Sequence, residues 1–162
     1  MFSLSSCKCK NESFSDKKIN LQFKGDVTIK TNDNIYSCNI VRSNQSTVYI
    51  KFITPDEIKG ISYEMKNGYS IISYDNLKYE KNKNILYENS FISSLIEILD
   101  FISLNESELN YITTEGLLSK YSAVVNNKNF NIYINNDTGF INKIELNQDN
   151  FVFEFDNLSN IN

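Results

Sequence analysis

Asn89–Ser103 reads NSFISSLIEILDFIS, and the way this stretch folds decides how the rest must be arranged around it. Phe91, Leu95, Ile98 and Ile102 recur at the i, i+4, i+7, i+11 spacing of one helical face, and Ile92, Ile96, Leu99 and Phe101 broaden that face. Ser93, Ser94, Glu97 and Asp100 hold the remaining arc. The spacing predicts a helix over Phe91–Ile102, with Asn89 or Ser90 accepting hydrogen bonds from its first free N–H groups. About three turns fall well short of the roughly 20 residues needed to cross a bilayer. So broad an apolar face has to be buried in protein.

Almost everything on either side alternates with the period of a strand. Ahead of the helix, Leu21, Phe23, Val27 and Ile29 mark a first strand with a bend or bulge at Gly25. Thr31–Asn34 turns it into Ile35–Arg42, where Tyr36, Cys38 and Ile40 share a face. Ser43–Ser46 turns again into Val48–Ile53, which Thr54-Pro55 stops. Ile61–Met65 and Tyr69–Tyr74 form a hairpin about Lys66-Asn67-Gly68, and Leu77 with Tyr79 adds one short strand. Glu80–Asn84 then reads as a polar loop, with Lys78, Lys81 and Lys83 as solvated cations. Beyond the helix, a break at Leu104-Asn105 precedes a brief second helix over Glu106–Ile112. Four strands finish the chain: Leu117–Val125, Phe130–Ile134, Phe140–Leu146 and Phe151–Phe155. Tight turns imply antiparallel neighbours. The expected fold is α+β, mainly β: one strongly curved antiparallel sheet of about ten strands, wrapped round one long helix. Leu21–Lys30 and Phe151–Leu158, near the ends of the domain, are the expected sheet edges, where a partner or a second copy would add a strand.

The 162 residues fit one domain, large enough to bury a core without disulfides, and a hydrophobic content of 41% is that of a folding chain. A net charge of -4 lacks the electrostatic footprint of a nucleic-acid binder. With no His, the chain builds no Ser-His-Asp or Cys-His site and no His-ligated metal. It also lacks G-x-S-x-G, G-x-x-x-x-G-K and G-x-G-x-x-G. The nearest carboxylate pairs are Asp56-Glu57, Glu106 with Glu108, and Glu154 with Asp156, all in loops or at outward strand steps, where a solvated face explains them better than glycosidase chemistry. Cys9 forms a C-x-C with Cys7, poor zinc ligation without His, and Cys38 sits at a core step of its strand. The reading is non-enzymatic, with no metal, cofactor or nucleic acid. Should the sheet curve round the helix, Phe52, Tyr63, Tyr74, Phe153 and Phe155 are candidates to line a concave lipid slot. They serve equally as plain core, which the breadth of the helix face favours.

Met1–Cys7 reads MFSLSSC, and Leu4-Ser5-Ser6-Cys7 looks like a bacterial lipobox, in which the Cys receives a thioether-linked diacylglycerol. The basic and apolar segments that precede a lipobox are not found within Met1–Cys7, so they are expected upstream of Met1. The polar run Lys8–Lys18 suits a flexible tether. Residues 1–18 are therefore expected as a lipidated end and tether, and 19–162 as the domain.

Val48–Leu77, VYIKFITPDEIKGISYEMKNGYSIISYDNL, resembles the part of LolA-like envelope lipoproteins in which F-x-x-P is followed by an I-K-G-I strand and an I-x-Y-x-x-L hairpin. Phe130–Leu146, FNIYINNDTGFINKIEL, is similar to their late hairpin of type I-D-x-x-T-G-x-x-x-K-I-E. Within that group the size, the Asn/Ile/Lys-rich composition and the lone long helix look most like the GerS germination lipoproteins of spore-forming anaerobes. The resemblance implies a LolA-like half-barrel, acylation of Cys7 and an extracytoplasmic, membrane-anchored location. It also implies a role as protein partner of a CwlD-like cortex amidase in spore germination. The alternative it carries is a LolA-like carrier that binds a lipid or lipoprotein acyl chain in the concave face.

Overall fold

The computed structural model describes residues 18–44, 47–66, 68–82 and 90–161. Cys7, Cys9, the turn residue Asn67, Lys83 and the possible cap Asn89 lie outside the described residues, as do most of the tether and half of the Ser43–Ser46 turn. Among the described residues the fold is mainly β: one antiparallel sheet of 11 strands that does not close, with one α-helix, α1 (Phe91–Leu104), against one face.

In chain order the strands before α1 are β1 (Phe23–Lys30), β2 (Ile35–Asn44), β3 (Thr47–Thr54), β4 (Ser62–Lys66), β5 (Tyr69–Tyr74) and β6 (Leu77–Asn82). Those after it are β7 (Asn110–Glu115), β8 (Leu118–Val125), β9 (Lys128–Asn135), β10 (Ile141–Leu146) and β11 (Phe151–Ser159). The sheet order is β6-β5-β4-β3-β2-β1-β11-β10-β9-β8-β7. Each half of the chain is thus a meander, and the two meanders join through the first and last strands.

Three sequence expectations need correction. Leu21–Lys30 and Phe151–Leu158 are not edges: β1 and β11 pair with each other at the centre of the sheet, Val27 opposite Phe155 and Ile29 opposite Phe153. Their inward side chains Phe23, Val27, Ile29, Phe153 and Phe155 are buried. The edges are β6 and β7. Second, Glu106–Ile112 is not a helix but a single 3-10 turn at Glu106–Glu108 leading into β7. The β-branched run Ile112–Thr114 favours extended backbone, and Gly116, at φ 60°, turns the chain into β8. Third, Lys78, Glu80 and Lys81 are not in a loop, because β6 continues to Asn82 and pairs along its length with β5. Elsewhere the strands fall where the alternation placed them, with ends moved by one or a few residues. Gly25 does sit at an irregularity of the β1–β11 register, and a Cβ there would come within 2.8 Å of the Asp156 carbonyl oxygen.

The helix starts where a cap was expected. The Ser90 hydroxyl accepts a hydrogen bond from the Ser93 N–H at 3.2 Å. Its apolar face is buried through Leu95, Ile98, Leu99 and Ile102 against the alternate residues of the strands. Phe91 stacks on Tyr36 of β2 with centroids 4.9 Å apart and meets Phe52 and Phe151 edge-on, while Phe101 meets Phe130 of β9. A polar clamp reinforces this packing. Arg42, at the end of β2 and 1% exposed, donates from Nη2 to Asp100 Oδ1 at 2.8 Å and from Nη1 to the Leu21 carbonyl at 2.9 Å. Tyr36 and Arg42 thereby fix α1 at both ends along β2.

Candidate functional site

The other face of the sheet carries no helix among the described residues, and there the alternation exposes polar side chains. Tyr121, Ile132, Ile144 and Phe153 point to the core, so their chain neighbours Lys120, Tyr133, Lys143 and Glu154 point outward. Pairing then aligns these neighbours. Thr113 lies opposite Lys120, Lys120 opposite Tyr133, Tyr133 opposite Lys143, and Lys143 opposite Glu154. One straight row therefore crosses β7, β8, β9, β10 and β11, and it lines an open groove of about 650 Å³ together with Ile112, Leu118, Glu115 and Asp156.

The row has an aromatic centre between two cations. Lys143 Nζ lies 4.2 Å from the Tyr133 ring centroid and Lys120 Nζ 5.1 Å from it, cation–π distances both. The Tyr133 hydroxyl donates to Glu145 Oε2 at 2.9 Å, and Lys143 pairs with the other oxygen of Glu145 at 2.7 Å. Burial pushes the Glu145 pKa up, but the hydrogen bonds from Lys143 and Tyr133 outweigh it and hold the group below its ordinary value. Lys143 is held above its ordinary value, chiefly by its hydrogen bond to Glu145, and Lys120 chiefly by hydrogen bonding to Tyr133. At the far end Glu154 is taken by Lys30 at 2.7 Å. Lys120 makes no ion pair with a described residue, and neither does Glu115. Beside β7 the groove thus ends in a cation held only by the Tyr133 ring and hydroxyl and an anion, Glu115, neither of them in an ion pair with a described residue.

Of the residues singled out from sequence, Glu154, Phe155 and Asp156 line this groove, and the others lie elsewhere. Phe52, Tyr63, Phe153 and Phe155 are buried in the core, and Tyr74, 51% exposed, stands on β5. Phe52 meets Tyr36 and Phe91, Phe155 meets Phe23, and the Tyr63 hydroxyl shares a 2.9 Å hydrogen bond with Ser70. Of the carboxylate pairs, Glu106 accepts from the Ile19 N–H at 3.2 Å and Glu154 serves the ion pair with Lys30. Among the described residues no group of three or more Cys, Asp or Glu is placed to hold a metal ion. Cys38 is a buried free thiol whose pKa burial pushes up to about 12, so it stays protonated and unreactive at neutral pH. No described helix is long and apolar enough to cross a membrane.

No protein-family profile and no curated protein sequence matches the chain. Solved structures do match. An uncharacterised conserved protein from Thermus thermophilus aligns over 86% of this chain and 78% of its own, at 9% identity and a TM-score of 0.57. The structure of the CwlD amidase from Clostridioides difficile in complex with the GerS lipoprotein aligns over 86% of this chain and 87% of that chain, at 16% identity and a TM-score of 0.53. A LolA superfamily protein from Nitrosomonas europaea aligns over 90% and 89%, at 8% identity and a TM-score of 0.49. At such identities the first two establish a common fold. They say nothing by themselves about activity.

Proposed function

We propose that this chain is a non-catalytic, extracytoplasmic lipoprotein that binds a protein partner, a CwlD-like cell-wall amidase, in spore germination or cortex modification. The observation that carries the reading is the fold shared, over 86% of this chain, with a structure of an amidase and its lipoprotein partner. The chemistry of the sequence supports it, because a chain without His has no usual general base at neutral pH and its carboxylates serve ion pairs or face water. In this reading Cys7 carries a diacyl anchor, since one acyl chain alone holds a membrane only marginally. Residues 1–18 tether the domain, and the open sheet curls round α1 as a half-barrel.

Co-expression with the amidase encoded in the same genome tests the proposal. The two chains should co-purify, and amidase activity should rise when the domain is added. Absence of both effects overturns it. The rival, an acyl-chain carrier, needs free space between helix and sheet, where Phe52, Phe91, Phe151 and Phe153 instead pack on one another. Native mass spectrometry after gentle purification should show the protein without lipid, and a retained acyl lipid would restore the carrier.

A further inference from the structure

The two sheet edges are built differently. β6 carries Lys78, Glu80 and Lys81, a charge density that protects an edge against pairing. β7, Asn110-Tyr-Ile-Thr-Thr-Glu115, has no cation and no Pro, and its outer side is unpaired among the described residues. Tyr111 and Ile112 are each 48% exposed on it. The register slips between Tyr111 and Thr113, and Ile112, the extra residue, lines the groove. After the slip the pairing is regular, Thr113 opposite Lys120 and Glu115 opposite Leu118, both pairs lining the groove.

We infer that β7 receives an extended segment of a partner protein, added antiparallel, with a basic residue opposite Glu115 and an acidic residue opposite Thr113 whose carboxylate reaches Lys120. The inference rests on the protein-binding reading above. Alternate residues of an added strand share a face, so two side chains two positions apart fall on the Glu115 and Thr113 rows. The first directly meets the Glu115 carboxylate, which makes no ion pair with a described residue. The second lies two strand spacings, about 9–10 Å, from the Lys120 backbone, a gap that a carboxylate and a lysine side chain span together across the short Thr113 once Lys120 swings from the Tyr133 ring toward β7. Antiparallel addition fixes the chemical order as Lys/Arg-x-Glu/Asp, read from the N-terminus of the segment. The intervening residue falls on the Thr114 row of the other face, beside Tyr111, whose hydroxyl donates to Thr114 Oγ1 at 3.0 Å.

A second copy of the chain does not supply this pattern. Its own β7 offers no cation. β6 does contain Lys78-x-Glu80, but every neighbouring pair in the sheet is antiparallel, so β6 and β7, first and last of 11 strands, run in the same direction. With the outer faces of two copies aligned, β6 would add to β7 in parallel and set Glu80 against Glu115 when Lys78 faces Thr113.

The test is selection of a phage-displayed random-peptide library on the immobilised domain, and on the charge-swapped variant Glu115→Lys with Lys120→Glu. The wild type should enrich Lys/Arg-x-Glu/Asp flanked by β-branched residues, and the swapped protein should enrich the reverse order. No enrichment, enrichment without this pattern, a pattern unchanged by the swap, or concentration-dependent self-association abolished by Ile112→Lys would each overturn the inference. Failure of the parent reading looks different. If the amidase co-purifies equally with wild type and swapped variant, the partner is right and the β7 site is wrong. If the peptides follow the swap but the amidase never binds, the β7 site stands and the amidase is not its partner.

Discussion

The two faces of this sheet do opposite things with the same alternation. On the helix side most alternate residues are apolar and excluded from water, and the one buried charge among the described residues, Arg42, donates to Asp100 and to two carbonyls while its Nε finds no partner. On the outer side the intervening residues form a row of Lys120, Tyr133, Lys143 and Glu154, and next to the open edge neither Lys120 nor Glu115 makes an ion pair with a described residue. The contrast teaches that the helix side specifies the fold, while the outer side and β7 carry the polar groups on which the proposed recognition rests. The two faces should therefore respond differently to perturbation.

The largest effect is expected on the helix side. Leu95→Ala, at a position fully excluded from solvent, should lower stability by about 2–5 kcal/mol. Urea melts check this, and a loss within noise would mean that the helix is a surface appendage. Next comes the clamp. Asp100→Ala strands the Arg42 guanidinium in the core with only carbonyl partners and should cost about 1.5–3 kcal/mol, the range for hydrogen bonds to charged groups.

The carboxylates on the two faces should also titrate with opposite sign. Burial raises the Asp100 pKa despite the hydrogen bond and charge of Arg42, so the folded state holds that proton more tightly than the unfolded chain does. Its contribution to stability is present at acid pH and fades as pH rises through the raised folded value. Glu145 is lowered, so its contribution is present above the ordinary carboxylate value and is lost as pH falls through the lowered one. Subtracting Asp100→Asn and Glu145→Gln melts from wild type between about pH 3 and 7 should give slopes of opposite sign. At neutral pH Glu145→Gln itself should cost below about 1 kcal/mol, as a solvent-screened pair does. Slopes of the same sign would erase the distinction between the faces. Smallest of all, Ile112→Lys on the exposed edge should stay within about 0.5 kcal/mol of wild type.

How much of this was legible from the residues follows from what periodicity can carry. The broad apolar face of Phe91–Ile102 marked the helix, and two-residue alternation marked ten of the strands, because both signals are local. Glu106–Ile112 misled because Leu109 and Ile112 stand at helical spacing, whereas Leu109 enters the core and Ile112 is turned outward at an irregular step of β7. The edges were misplaced for another reason: which strands are neighbours is a long-range fact, and the ends of the chain are not the ends of the sheet when β1 zips onto β11. The outer row was invisible for the same cause. Lys120, Tyr133 and Lys143 each read as an ordinary polar step, and only the register between strands brings them together. Arg42 did leave a local trace, standing on the inward step after Tyr36, Cys38 and Ile40, but its partner Asp100 lies on a distant element.

The central claim is that one face is sealed as core and that a partner is met along β7. Hydrogen–deuterium exchange of the domain, alone and with the amidase from the same genome, tests it most directly. Residues 110–115 should exchange fast in the free protein and slow when the amidase is added, while 91–104 is protected in both states. Partner-induced protection in β6 or in α1, with 110–115 unchanged, would contradict the account.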